Sequence, residues 1–313
     1  MLVERYFLPI CFSLLGSFLY SQTPKLDSLL KALPKHGPDT NRMKCLNALS
    51  RNYASAGMFD STLAYAKRAL ELGKQIPLSR GAKAGMGIAQ NNLGLGYWNK
   101  GDYPRALEHF TLSLGTCLEL GDKKGVGRCY GNIGLIYWTQ GNYPKALDYD
   151  FKALKIDEEI GDQNLISICL GNIGLVYWNQ AEYEKAREYF EKALKIDENE
   201  GNKAGVARHT GNIGNLYAEQ KDHARALEYY FKALKISENA GEYSGMVDHL
   251  GNIGSTYNSM KNYDKALEYQ KKALDASYKM GDKSRIALTL GNMGMASMEL
   301  RKFAEAEDLL KRS

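Results

Sequence analysis

The sequence predicts an all-α solenoid of stacked helical hairpins, and three observations carry that prediction. The segment GNIGLIYW at Gly131 returns as GNIGLVYW at Gly171, GNIGNLYA at Gly211, GNIGSTYN at Gly251 and GNMGMASM at Gly291. A looser copy, NNLGLGYW, starts at Asn91, and the spacing is 40 residues each time. Within each period the apolar residues recur at helical spacing. Finally, glycine followed by Asp or Asn punctuates the chain, as at Gly101-Asp102, Gly141-Asn142, Gly121-Asp122 and Gly161-Asp162. Glycine closes a helix in the left-handed conformation, and Asp or Asn caps the next one. A chain of 313 residues would otherwise suggest about two globular domains, but a fixed period points to one extended array.

The N-terminus stands apart. MLVERYFLPICFSLLGSFLYSQ carries Arg5, a mostly apolar run from Tyr6 to Tyr20, then Ser21-Gln22. That run falls short of the ~20 residues of a membrane span. Its layout fits a secretory signal peptide over residues 1–21, which predicts export to the periplasm or beyond. A membrane anchor left uncleaved is the alternative. No later segment is apolar enough to span a membrane. Residues 22–42 hold a short helix, Leu26 to Leu33, and a linker. Residues 43–313 form seven units beginning at Met43, Gly87, Gly127, Ser167, Ala207, Val247 and Ala287, the last incomplete.

Each unit is numbered here so that the second glycine of the motif is position 8. In the fourth unit, helix A is expected from about Asn164 to Gln180 and helix B from about Tyr183 to Glu200. Pro104 and Pro144 fall in the first turn of helix B, where a missing N–H costs nothing. Positions 4, 8 and 11 share one face of helix A, as in Tyr130, Gly134 and Tyr137. On helix B, positions 20 and 27 are small, as in Ala146, Ala153, Ala186 and Ala193. Position 17 is aromatic in Tyr103, Tyr143, Tyr183, Tyr263 and Phe303, and these rings are expected to fill the gaps between helices. One unit cannot bury such a face alone, so neighbours must stack.

Gly, Tyr, Ala and Ala at positions 8, 11, 20 and 27 resemble the signature of the tetratricopeptide repeat, over roughly residues 43–313. The first unit departs from it, with Ser50 and Thr62 at positions 8 and 20. The resemblance implies a right-handed superhelix whose helices A line a concave, ligand-binding face. The 40-residue period with GNIGxxY is similar to the Leu-Gly-Asn-repeat spindle-orientation adaptors. A leader, a short helix and such repeats look more like the N-terminal sensory half of bacterial tetratricopeptide-repeat histidine kinases. That implies a periplasmic signalling region, with a membrane helix and kinase expected beyond Ser313. A free-standing adaptor or assembly scaffold is the alternative.

Eleven glycines occupy positions 5 and 8. Each costs ~1 kcal/mol relative to alanine inside a helix, on the order of 10 kcal/mol together. Close packing of helix A on helix B explains position 8. Position 5 turns toward the strip formed by positions 2, 6, 9 and 13. Position 6 is asparagine in six units: Asn92, Asn132, Asn172, Asn212, Asn252 and Asn292. An amide both donates and accepts, which suits an extended peptide backbone. Hydrogen bonding between repeats is the other explanation of this ladder. Family members that clamp a peptide carboxylate need basic neighbours. Here position 2 offers Arg128 and Arg208, but Ile88, Ile168, Asp248 and Leu288 elsewhere, so a full clamp is not expected. Trp98, Trp138 and Trp178 at position 12 either pack or anchor a partner.

Other chemistries find little support. Position 3 reads Cys129, Cys169, His209 and His249, but equivalent residues of successive repeats lie roughly 10 Å apart. Zinc needs its ligands within ~2.3 Å of one ion, so no metal site is expected. The sequence has no HExxH, GxSxG, P-loop or dinucleotide fingerprint, so neither enzyme activity nor a cofactor is predicted. The net charge of +5 is spread among interleaved acids and bases, without the basic block that nucleic acid would require. Once Cys11 leaves with the signal peptide, Cys45, Cys117, Cys129 and Cys169 are expected as small buried hydrophobes. The predicted partner is a protein or peptide in the groove, with a second copy of the chain as a further possibility.

Overall fold

The structure, a computed structural model, describes residues 23–33, 37 and 39–313; the expected leader lies outside them. Fifteen α-helices follow one another among the described residues. Helix α1 (Thr23–Ala32) precedes seven hairpins. Repeats one to three are α2 (Thr40–Ser55) with α3 (Phe59–Gln75), α4 (Arg80–Asn99) with α5 (Tyr103–Leu120), and α6 (Lys123–Thr139) with α7 (Tyr143–Ile160). Repeats four and five are α8 (Gln163–Asn179) with α9 (Tyr183–Asn199), and α10 (Lys203–Glu219) with α11 (His223–Ala240). Repeats six and seven are α12 (Tyr243–Ser259) with α13 (Tyr263–Met280), and α14 (Lys283–Glu299) with α15 (Phe303–Arg312). No helix among the described residues is long and apolar enough to cross a membrane.

Local chemistry sets the boundaries. Asp122 accepts the Gly125 N–H at 2.9 Å, and Asp102, Asn142, Asp162, Asn202, Asp222, Asn262 and Asp282 cap their helices in the same way. Gly121, Gly161, Gly241 and Gly281 end helices B with φ between 66° and 76°. The hairpin turn needs the same left-handed residue, supplied by Gly101 and Gly141 in repeats two and three. Repeats four to seven put Ala181, Lys221, Lys261 and Arg301 there instead, at φ of 57–60°.

Helix A meets helix B through position 8, and the side chain that meets it comes from position 24. A Cβ added at Gly94, Gly174 or Gly214 would come within 2.5, 2.6 or 2.8 Å of Phe110, Phe190 or Tyr230. The alanines at positions 20 and 27 are fully buried beside these rings. The expectation for position 17 is corrected here. Its tyrosines are only half-buried, and Phe303 is 65% exposed. Position 17 is the first residue of helix B, so its ring lies over the turn and not between the helices. Further out, rings at positions 11 and 23 stack, as in Tyr137–Tyr149 at 5.5 Å and Tyr217–Tyr229 at 5.3 Å. Lys145 and Lys152 cover the two faces of the first pair.

Position 5 divides. A Cβ at Gly131 or Gly251 would meet nothing within 4 Å. At Gly171 and Gly211 it would strike His209 at 2.6 Å and His249 at 2.7 Å. Those two glycines therefore admit the imidazole of the next repeat and do not turn toward the strip.

The stack also curves. Helices A touch across most junctions (α2 with α4, α8 with α10, α10 with α12, α12 with α14), whereas no two helices B make a comparable contact. Helices A are therefore the inner, concave layer. The glycine positions separate by experiment. Gly174→Ala, which drives a methyl into the Phe190 ring, is expected to lower stability by ~1–3 kcal/mol. Gly251→Ala gains helix propensity without a clash and should raise it by ~0.5–1 kcal/mol. Urea unfolding of the two variants checks this, and shifts of the same sign would contradict the packing described.

Candidate functional site

The concave strip is built from positions 2, 6 and 9 of each helix A, with position 12 along its edge. Its asparagines do not behave alike. Asn92 is buried and its Nδ2 donates to the Asn47 carbonyl at 3.2 Å. Asn132 Nδ2 donates to Asn91 Oδ1 at 2.9 Å, and Asn252 Nδ2 to Asn215 Oδ1 at 3.1 Å. Each of these ties a repeat to the one before it. The amides of Asn172, Asn212 and Asn292 make no hydrogen bond to the described residues, although Asn212 is buried and the other two half-buried. Half of the ladder is thus inter-repeat glue, and half presents unused donors and acceptors.

The basic residues also separate. Arg128 is exposed and Arg208 half-buried. Asp248, at the same position in repeat six, pairs with Arg285 of repeat seven. That guanidinium also reaches the Ser244 carbonyl at 3.3 Å and its Oγ at 3.2 Å. This C-terminal stretch of the strip is polar. The N-terminal stretch carries Ile88, Leu95, Leu135, Ile168 and Leu175, with Trp98, Trp138 and Trp178 half-buried along its edge.

Position 3 faces the preceding repeat and not the strip. Cys169 Sγ donates to Asp157 Oδ2 at 3.2 Å. His209 Nε2 lies 3.3 Å from Asp197 Oδ2 and 3.4 Å from Ser167 Oγ, which itself donates to Asp197 Oδ2 at 2.8 Å. Ser, His and Asp together suggest a nucleophilic triad, but such a relay uses both imidazole nitrogens. Here one nitrogen serves both partners, Nδ1 has none, and His209 is buried. Burial pushes Asp197 up, yet hydrogen bonds from His209, Ser167 and Asn202 outweigh it and hold the carboxyl below the usual range. Burial also keeps His209 neutral. The cluster joins repeats four and five. Among the described residues, Cys45, Cys117, Cys129 and Cys169 are buried and unbridged.

Repeat three breaks the pattern at position 24. Where Phe110, Phe190 and Tyr230 fill the hairpin, it has Asp150, 3% exposed. A carboxylate is smaller than a ring, and a cleft opens beside it, lined by Leu135, Trp138, Asp150, Asn172, Leu175 and Val176. The cleft measures about 230 Å³ with the open space at its mouth. Two residues anticipated from sequence, Trp138 and Asn172, meet here. Asp150 was not anticipated; its signal was the interruption of an aromatic series. No described residue donates a hydrogen bond to its carboxyl or pairs with it, and burial alone pushes its pKa up to about 8. Trp138 Nε1 is buried beside it with no acceptor.

The tetratricopeptide-repeat sequence profile matches residues 85–159, 164–239 and 245–313. No curated protein sequence matches the chain. Among solved structures, it is similar to the apo form of RapI at 18% identity and TM-score 0.66, covering 86% of this chain and 97% of that one. It is similar to NprR in complex with its cognate peptide NprX at 17% identity and TM-score 0.63, covering 96% and 87%. It is also similar to a Rap protein complexed with competence and sporulation factor, at 14% identity and TM-score 0.62, covering 92% and 95%. At such identities the likeness is one of fold.

Asp150 gives a signed pH prediction. With its folded pKa raised to about 8, the native state keeps a proton that the unfolded chain releases near pH 4. The group therefore weakens the fold as pH climbs from about 4, and its full cost, on the order of 6 kcal/mol, is present above about pH 8. Asp150→Asn removes the titration and leaves the buried histidines untouched. The stability gain of this variant over wild type, read from urea unfolding, is expected to grow between about pH 5 and pH 8.5. A difference that does not change with pH would contradict the assignment.

Proposed function

The chain belongs to the tetratricopeptide-repeat family, and on that premise we propose that it is a non-enzymatic scaffold holding a protein or peptide segment along its concave strip. The observation that carries this reading is the set of free amides on Asn172, Asn212 and Asn292, repeated on the inner face of the stack. Asn172 and Asn212 stand in adjacent repeats and Asn292 two repeats further on, and an amide can both donate to and accept from an extended backbone. Trp98, Trp138 and Trp178 add aromatic edge beside them, and Arg128 and Arg208 add positive charge. Similarity in fold to NprR, solved with its cognate peptide, is consistent with this use of the scaffold.

We further propose that the array works outside the cytoplasm, as the sensory or interaction region of a signalling protein. The apolar run before Ser21-Gln22 motivates the compartment. Mass spectrometry of the mature protein is expected to find Gln22 at the N-terminus. A soluble protein with Met1 intact would remove the basis for export.

The two kinds of asparagine supply the test of the groove. Peptides selected from a random display library on the purified protein should lose at least ~10-fold in affinity with Asn172→Ala/Asn212→Ala, about 1.4 kcal/mol, at nearly unchanged thermal midpoint. Asn132→Ala/Asn252→Ala should lower the midpoint instead, because a bond between repeats is lost. If no peptide is enriched, or if enriched peptides ignore the first pair of substitutions, the groove reading is wrong.

A further inference from the structure

We propose that Cys117 and Cys129 are a disulfide-forming pair that locks repeat two to repeat three wherever a disulfide oxidant reaches the folding chain. The export reading supplies such a compartment, but the pairing itself rests on the register of the repeats. Position 31, near the end of helix B, meets position 3 of the next helix A. Asp157 with Cys169 and Asp197 with His209 make that contact at 3.2 and 3.3 Å across two successive junctions. Cys117 and Cys129 hold the same two positions one junction earlier. The side chain at position 31 also points the same way from repeat to repeat. A Cβ added at Gly125 would come within 2.5 Å of Cys117 Sγ, as one at Gly245 would of Ser237 Oγ. Cys117, Val126 and Cys129 form one buried apolar cluster.

Neither sulfur is held strongly by another group. Cys129 Sγ lies 3.4 Å from Ser113 Oγ, whose own proton goes to the Gly87 carbonyl at 2.8 Å, and Cys117 Sγ lies 3.9 Å from Asp122 Oδ2. By contrast, Cys45 donates to the Leu29 carbonyl at 3.3 Å and Cys169 to Asp157. Contact with Cys117 draws the Cys129 thiol down even against burial, and the same contact pushes Cys117 up. Cys129 is therefore the thiolate that starts the exchange. The oxidant is a small-molecule or protein disulfide. The Cys129 thiolate attacks one of its sulfurs, which gives a mixed disulfide and releases one thiolate. Cys117 loses its proton, attacks the Cys129 sulfur, closes the bond and releases the second. Two electrons and both thiol protons pass to the donor, which leaves as two thiols. Cys129 is fully buried in the finished fold, so exchange precedes the docking of α6 on α5, and the completed bond is shielded from reductants. The two cysteines lie only 12 positions apart, so closing the loop costs little entropy. The bond ties α5 to α6 where α4 and α6 lack the close contact of other helices A and share the Asn132–Asn91 hydrogen bond.

The test refolds the protein from urea with glutathione disulfide, alkylates the remaining thiols and maps the product. Trypsin cuts after Lys123 and Arg128, between the two cysteines, so the bond joins peptides that otherwise separate. A linked pair carrying Cys117 and Cys129 is expected, two hydrogens lighter than its parts, with Cys45 and Cys169 alkylated. Reduction should then lower the thermal midpoint of the oxidised protein by several degrees and leave that of Cys117→Ala/Cys129→Ala unchanged. Absence of the linked pair, or bonding of either cysteine to Cys45 or Cys169, overturns the proposal even if the double variant fails to fold. Protein alkylated directly in its own cells and beginning at Gln22 should already carry the bond, and free thiols there would overturn the proposal too. Protein that keeps Met1 and free thiols in the cell, yet closes the bond on refolding, would remove the export reading and leave the pair standing.

Discussion

The contact between a glycine at position 8 of helix A and the side chain at position 24 of helix B governs the spacing of the hairpins. Glycine costs helix propensity, but its missing Cβ lets a whole ring close the pair, as Phe110 does over Gly94 and Phe190 over Gly174. Everything outward follows from that closeness. The buried alanines at positions 20 and 27 pack beside the ring, and the tyrosines at positions 11 and 23 come near enough to stack. Helices A are left as the inner layer. Repeat three keeps the glycine but gives up the ring. A Cβ at Gly134 would still come within 2.5 Å of Asp150 Oδ1, so the backbones stay close while the space beyond the carboxylate stays empty. The cleft is a consequence of holding the architecture fixed and changing one filler.

Between repeats, the specifying contacts differ from one junction to the next. Asp157 with Cys169 joins repeats three and four, and Asp197 with His209 joins four and five. Amide pairs such as Asn132 with Asn91 run along the inner face. Buried polar pairs contribute little net stability and more to the choice of neighbour. In a stack where each unit touches only its neighbours, unlike junctions discourage a slip of register. His209 and His249 also explain the glycines at 171 and 211, which clear room for the incoming ring.

Much of this was legible in the sequence because its causes are local. The period, the Asp and Asn caps, the left-handed glycines and the buried alanines depend on neighbours a few residues away. What escaped depends on which residue of one helix meets which residue of another. Tyr103 and Tyr143 read as gap fillers, yet the gap belonged to position 24, seven residues further on. The asparagine ladder looked uniform, yet Asn132 and Asn252 found acceptors in the preceding repeat while Asn172 did not. Arg285, which pairs with Asp248, shows no motif at all. Asp150 was visible as an exception among aromatics, but only the structure shows that no described residue pairs with it.

The proposed ligand site lies on the inner layer, along α8 and α10, which carry Asn172 and Asn212. Hydrogen exchange with and without a peptide selected on the purified protein addresses this most directly. The predicted result is slower exchange on α8 and α10, with α5, α9 and α11 unchanged. Protection centred on helices B would contradict it.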